Sequence, residues 1–104
     1  MSKAAVIGER SLVLGFKGAG FEIVHADDVR SASRALAALS RRTEIGLVLI
    51  TEALAAEMPE EMKQFREVSA AILTSIPTHL GSRHLSLAEM RKTIEHAVGV
   101  DILR

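Results

Sequence analysis

Ile45-Gly46-Leu47-Val48-Leu49-Ile50-Thr51-Glu52 decides how the rest of this chain is read. From Ile45 to Ile50 it is an almost unbroken apolar run, too short for a typical helix and rich in β-branched and Leu residues. A strand covered on both faces reads this way, and such strands belong to parallel sheets flanked by helices. In open parallel sheets, ligands and chemistry collect outside the carboxyl ends of the strands. Here that end offers Thr51 and Glu52, where a phospho-accepting domain of this size needs an Asp.

Outward from this strand, the punctuation predicts three more strands. Ala4 to Ile7 is a short apolar strand stopping at Gly8, and Phe21 to His25 is another. Ala70 to Ile76 is the fourth, ended by Pro77. Helices fill the intervals. Glu9 to Lys17 reads as helical with Gly18-Ala19-Gly20 as its stop. Asp27 or Asp28 caps a helix whose Val29, Ala32, Leu36 and Leu39 repeat at spacings of three and four. Arg41 and Arg42 close it as a solvated last turn. Glu52 to Val68 is helical with Leu54, Met58, Met62 and Phe65 in register, Thr51 as its cap and a break at Met58-Pro59. A last helix runs from about Ser86 to about Val98 with Leu87, Met90, Ile94 and Val98 as its stripe, before the tail Val100-Asp101-Ile102-Leu103-Arg104.

The alternation favours right-handed crossovers and one parallel sheet. The expected fold is an α/β three-layer sandwich, receiver- or flavodoxin-like, with strand order 2-1-3-4 and a C-terminal helix. It forms one domain over 1–104, with an α/β core at 1–77 and a partner-contacting loop, helix and tail at 78–104.

Composition narrows the function. Thirteen Lys+Arg balance thirteen Asp+Glu, so the electrostatic excess usual in duplex-binding proteins is missing. The absence of Cys removes disulfides, thiolate catalysis and Cys-ligated metals. No apolar run approaches the ~18 residues of a membrane span, and the amino terminus has too few apolar residues for a signal-peptide core. A cytoplasmic protein is expected.

The searched-for chemistry is missing as well. A receiver domain needs an acidic pair after its first strand, an Asp ending the third and a Lys after the fourth. The matching positions read Gly8-Glu9-Arg10, Thr51-Glu52 and Ser75-Ile76-Pro77. Gly15-Phe16-Lys17-Gly18-Ala19-Gly20 follows a helix rather than a strand and fails the phosphate-loop spacing. His79 and His84 flank one loop without further ligands in sequence, and Glu57, Glu60 and Glu61 read as a solvated acidic face. No catalytic, cofactor or metal residue is expected.

Four segments together resemble one family. They are Ala5-Val6-Ile7-Gly8-Glu9-Arg10 with Leu14-Gly15-Phe16-Lys17, the central Ile45–Glu52 run, Ile76-Pro77, and Ile94 to Ile102. In order and spacing they resemble the F subunits of the archaeal and bacterial A/V-type rotary ATPases. That resemblance implies a non-catalytic part of the central stalk which binds the coiled-coil D subunit and turns inside the ring of A and B subunits. Rotation would couple ATP hydrolysis or synthesis to H⁺ or Na⁺ movement, with the chain peripheral to the membrane. It also implies a carboxyl-terminal contact region, in which Arg91, Lys92, Glu95, Val98, Val100, Asp101, Ile102 and Leu103 are the expected partner-binding residues. The alternative is a degenerate receiver-like domain that acts by protein binding without phosphorylation.

Overall fold

The structure, a computed structural model, describes residues 3–10 and 14–77. In chain order these give β1 (Lys3–Gly8), a 3-10 helix (Leu14–Ala19), β2 (Glu22–His25), α1 (Val29–Ser40) and β3 (Ile45–Thr51). Then come α2 (Glu52–Ala55), α3 (Pro59–Val68) and β4 (Ile72–Ile76). The strands form one parallel sheet in the expected order β2-β1-β3-β4, with the two most apolar strands in the middle. The expected last helix, loop and tail lie outside the described residues.

Both faces of the sheet are buried. Ala5 and Ile7 of β1, Val48 and Ile50 of β3 and Leu73 of β4 face one core. Ala32, Leu36 and Leu39 of α1 and Met62 and Phe65 of α3 close it, together with Leu54 and Met58. By strand alternation Val6, Leu47 and Leu49 point the other way, and they too are fully buried. Phe16 and Phe21 also lie outside the first core, with rings 5.3 Å apart in an edge-to-face contact. The apolar run of β3 is therefore the rib between two cores.

One irregularity refines the pairing of that rib. Lys3 pairs with Ile45 but Ala4 pairs with Leu47, so Gly46 is an extra residue on β3. Strict alternation would put Ile45 on the side of Leu47 and Leu49. The bulge turns it to join Val48 and Ile50 in the first core.

Local chemistry explains the helix ends. Asp28 is the N-cap of α1, its carboxylate accepting from the Ser31 N–H at 2.8 Å. Pro59 takes the first position of α3, where its missing N–H costs nothing. The expected break at Met58-Pro59 is a full interruption, with Ala56 to Met58 separating α2 from α3. Two expectations need correction here. Thr51 stands at the N-cap position of α2, but its side chain makes no capping bond. The helix expected from Glu9 to Lys17 is met in part: Glu9 is non-helical, Arg10 is α-helical, Ser11 to Val13 lie outside the described residues, and a 3-10 helix runs from Leu14 through Gly18 to Ala19. Gly15 and Gly18 weaken α-helix propensity, and short 3-10 pieces serve as connectors in such places.

The stop falls at Gly20 alone, with φ of +84°. Its N–H donates to the Lys17 carbonyl at 3.3 Å. A Cβ built there would meet nothing within 4 Å, so only the backbone conformation resists a side chain. Gly20→Ala is expected to cost about 1–2 kcal/mol of stability. Urea unfolding would check it, and an unchanged midpoint would mean that the left-handed turn is not held.

Candidate functional site

The carboxyl ends of the strands meet in register. Gly8 lies beside His25, Ile7 beside Ile50, and Thr51 beside Ile76. Alternation sends Thr51 to the second core, where it is buried, while Glu9, Arg10 and Glu52 are exposed. His25 ends β2 and its Nε2 lies 2.9 Å from Asp27 Oδ1, both side chains at the surface. The Ala26 N–H donates to the Gly8 carbonyl at 2.8 Å and turns the chain toward α1. Among the described residues, no group of three or more His, Asp or Glu side chains could hold a metal ion. Among the described residues this rim supplies single exposed polar groups, of which His25 and Asp27 pair with each other, and no acid cluster around a common point.

At the amino end of the sheet the structure corrects another expectation. Arg42 is not a solvated end of α1. Its guanidinium grips Glu22 at the start of β2 through two bonds, one of 2.9 Å, and reaches Glu44 ahead of β3 at 3.1 Å. A bidentate fork of this kind fixes orientation as well as distance. The Arg42 hydrogen bond, more than its charge alone, holds the Glu22 carboxyl below its ordinary 4.5. Glu44 is lowered first by its own backbone N–H and then by Arg42. Asp28 falls below its ordinary 3.8 because the Ser31 N–H donates to it.

These shifts have a defined consequence. A carboxyl whose folded pKa is depressed binds protons more readily in the unfolded chain. Its contribution is complete above the unfolded pKa and is lost as pH falls through the folded one. The thermal midpoint is expected to be level above about pH 5 and to drop below the ordinary values of 4.5 and 3.8. Glu22→Gln combined with Glu44→Gln should flatten that drop. Identical acid profiles for variant and parent would count against the clamp.

The second surface of interest lies between α1 and α3. These helices pack side by side over the first core and leave a groove of about 240 Å³ lined by Ser33, Leu36, Ala37 and Ser40 on one side. Glu61, Gln64, Phe65 and Val68 line the other. Ser33 Oγ donates across it to Glu61 Oε2 at 3.4 Å, so Glu61 is half-buried, whereas Glu57 and Glu60 are exposed as expected. Val68 is 69% exposed, unusual for a large apolar side chain. Arg66 turns away and donates to the Leu73 carbonyl at 3.0 Å, tying α3 to β4.

Arg91, Lys92, Glu95, Val98, Val100, Asp101, Ile102 and Leu103, expected from the sequence as partner contacts, all lie outside the described residues, as do His79, His84 and His96. The α1/α3 groove is not among the sequence expectations. Its available signal is Ser33, Ala37 and Ser40, small residues at spacings of four and three beside an apolar stripe.

Comparison with known proteins adds an independent line. The family model described as "ATP synthase (F/14-kDa) subunit" matches residues 4–94. The V-type ATP synthase F subunit of Fusobacterium nucleatum subsp. nucleatum is 30% identical over 103 residues, covering 99% of this chain and 97% of that protein. The A-type ATP synthase F subunit of Thermococcus gammatolerans is 35% identical over 107 residues, covering 98% of this chain and 99% of the relative. Among solved structures, the crystal structure of the V-type ATP synthase F subunit of Archaeoglobus fulgidus aligns with a TM-score of 0.62 at 19% identity. It covers 72% of this chain and 96% of its own, a likeness of fold.

Proposed function

The chain belongs to the family of ATP synthase F (14-kDa) subunits, and from that premise we propose that it is a non-catalytic rotor component of the central stalk. In this reading it binds the coiled-coil D subunit, and the pair turns within the ring of A and B subunits. That rotation links ATP turnover to H⁺ or Na⁺ transport. The chain then sits on the cytoplasmic side and reaches the membrane only through the complex. No helix among the described residues is long and apolar enough to cross a membrane.

The observation that carries this reading is the match over nearly the whole length of relatives named as the F subunits of V-type and A-type ATP synthases. The residues from Arg91 to Leu103 are proposed to supply contacts to the stalk or the catalytic ring. Reconstitution tests the proposal. The chain mixed with the D subunit should elute as one complex, and adding the pair to A and B should give an assembled ATPase whose turnover drives rotation. Separate elution of the chain and the D subunit would overturn the assignment.

A further inference from the structure

We infer that the groove between α1 and α3 seats an α-helix of the stalk partner, one with an apolar stripe flanked by acidic residues toward α1 and basic residues toward α3. This rests on the assembly reading above and adds to it the surface and the chemistry of the contact.

The floor is apolar, with Leu36 and Phe65 at its base and the largely exposed Val68 at one end. Ser33, Ala37 and Ser40 keep the α1 wall low, so a third helix backbone can come close. Two neighbouring helices leave a trough whose natural occupant is another helix, read through residues at spacings of three and four.

Charge on the rims selects the occupant. Arg30, Arg34, Ala37 and Arg41 follow one another at spacings of four, three and four, so three cations border the α1 wall beside Ala37. Glu60, Gln64 and Glu67 do the same on α3, setting two carboxylates beside Gln64. All five charged residues are exposed, and none takes part in an ion pair among the described residues. The groove therefore presents a cationic and an anionic rim with an apolar floor. Flanking charges play this part along helix seams, setting partner and orientation more than affinity. A second copy of this chain fits less well, because groove against groove leaves the trough unfilled.

Because the chain contains no Cys, single thiols can be placed at will. Ala37→Cys and Gln64→Cys put one on each wall, and Thr43→Cys puts a reference on an exposed turn. Maleimide labelling would be timed on the isolated full chain and on the assembled ATPase complex. Both groove thiols should label freely in isolation and at least about tenfold more slowly in the complex, beyond any change at the reference. The paired Arg34→Glu, Arg41→Glu variant should keep the isolated chain's cooperative thermal transition, with a midpoint lowered by several degrees at most, and be retained at least about tenfold less well by the complex. Groove thiols that label equally fast in both states would overturn the inference while leaving assembly intact. Unchanged retention of the charge-reversed chain would overturn it too. Slow labelling in isolation, with a dimer mass by light scattering, would assign the groove to a second copy instead. Failure of the unmodified chain to assemble would remove the assembly reading and the inference with it.

Discussion

Leu49→Ala is expected to remove about 2–5 kcal/mol of stability. Leu49 has no exposed surface and lies in the middle of β3, between Val6 of β1 and Thr74 of β4. Strands hydrogen-bonded on both sides cannot close in over the missing atoms, so a cavity adds to the lost transfer energy. For a domain of this size each kcal/mol moves the thermal midpoint by about 4–8 °C, so a fall on the order of 10 °C or more should be measured. The denaturant slope should stay unchanged, because the surface exposed on unfolding is nearly the same. A loss below about 1 kcal/mol would mean that the second face of the sheet is not closed as described.

Thr51→Asp should be equally damaging and chemically silent. The substitution puts a carboxylate where a phospho-accepting domain carries one, but Thr51 is only 2% exposed. An unpaired charge there costs several kcal/mol or is avoided by protonation. The Asp pKa would rise in the folded state above the ordinary value of about 3.9. The unfolded chain then releases its proton first, so stability falls as pH rises through that value toward the raised one. The deficit relative to the parent should therefore be largest at neutral pH and smallest in acid. Incubation with acetyl phosphate should leave no phosphate on the variant, because Glu9 is the sole acid in Gly8-Glu9-Arg10 and no Lys follows β4 in Ile76-Pro77. Stable labelling of the new carboxylate would revive the receiver-like alternative.

The elements that proved legible are those whose evidence is local and periodic. Ala32, Leu36 and Leu39 mark the buried side of α1 by spacing alone, and Asp27-Asp28 announces its start, Asp28 being the cap in the structure. The apolar runs of β1 and β3 put those two strands in the middle of the sheet, as observed. What escaped needed knowledge of distant neighbours. Arg42 and Glu22 are twenty residues apart, and their contact depends on where α1 unwinds. The groove exists only because α1 and α3 lie side by side, which no window of sequence contains. Thr51 has the hydroxyl of a cap, but a cap needs direction as well as residue type, and this side chain is buried without bonding the helix start. In the segment expected as one helix from Glu9 to Lys17, Arg10 is α-helical, but from Leu14 the chain is a 3-10 helix, where Gly15 and Gly18 weaken the α-helical alternative.

The extra residue at Gly46 solves a problem that the central strand creates for itself. A strand greasy on one side only has a built-in sense of correct alignment, since slipping one place drives polar groups inward. Ile45 to Ile50 has no such sense, because either set of alternate side chains is content to be buried. Left to its pattern, it could mate with β1 one notch early or late at little loss. Gly46 acts as a key in a slot: the kink allows one engagement, in which Lys3 meets Ile45 and Ala4 meets Leu47. Misalignment thus carries a penalty that the hydrophobic pattern could not impose.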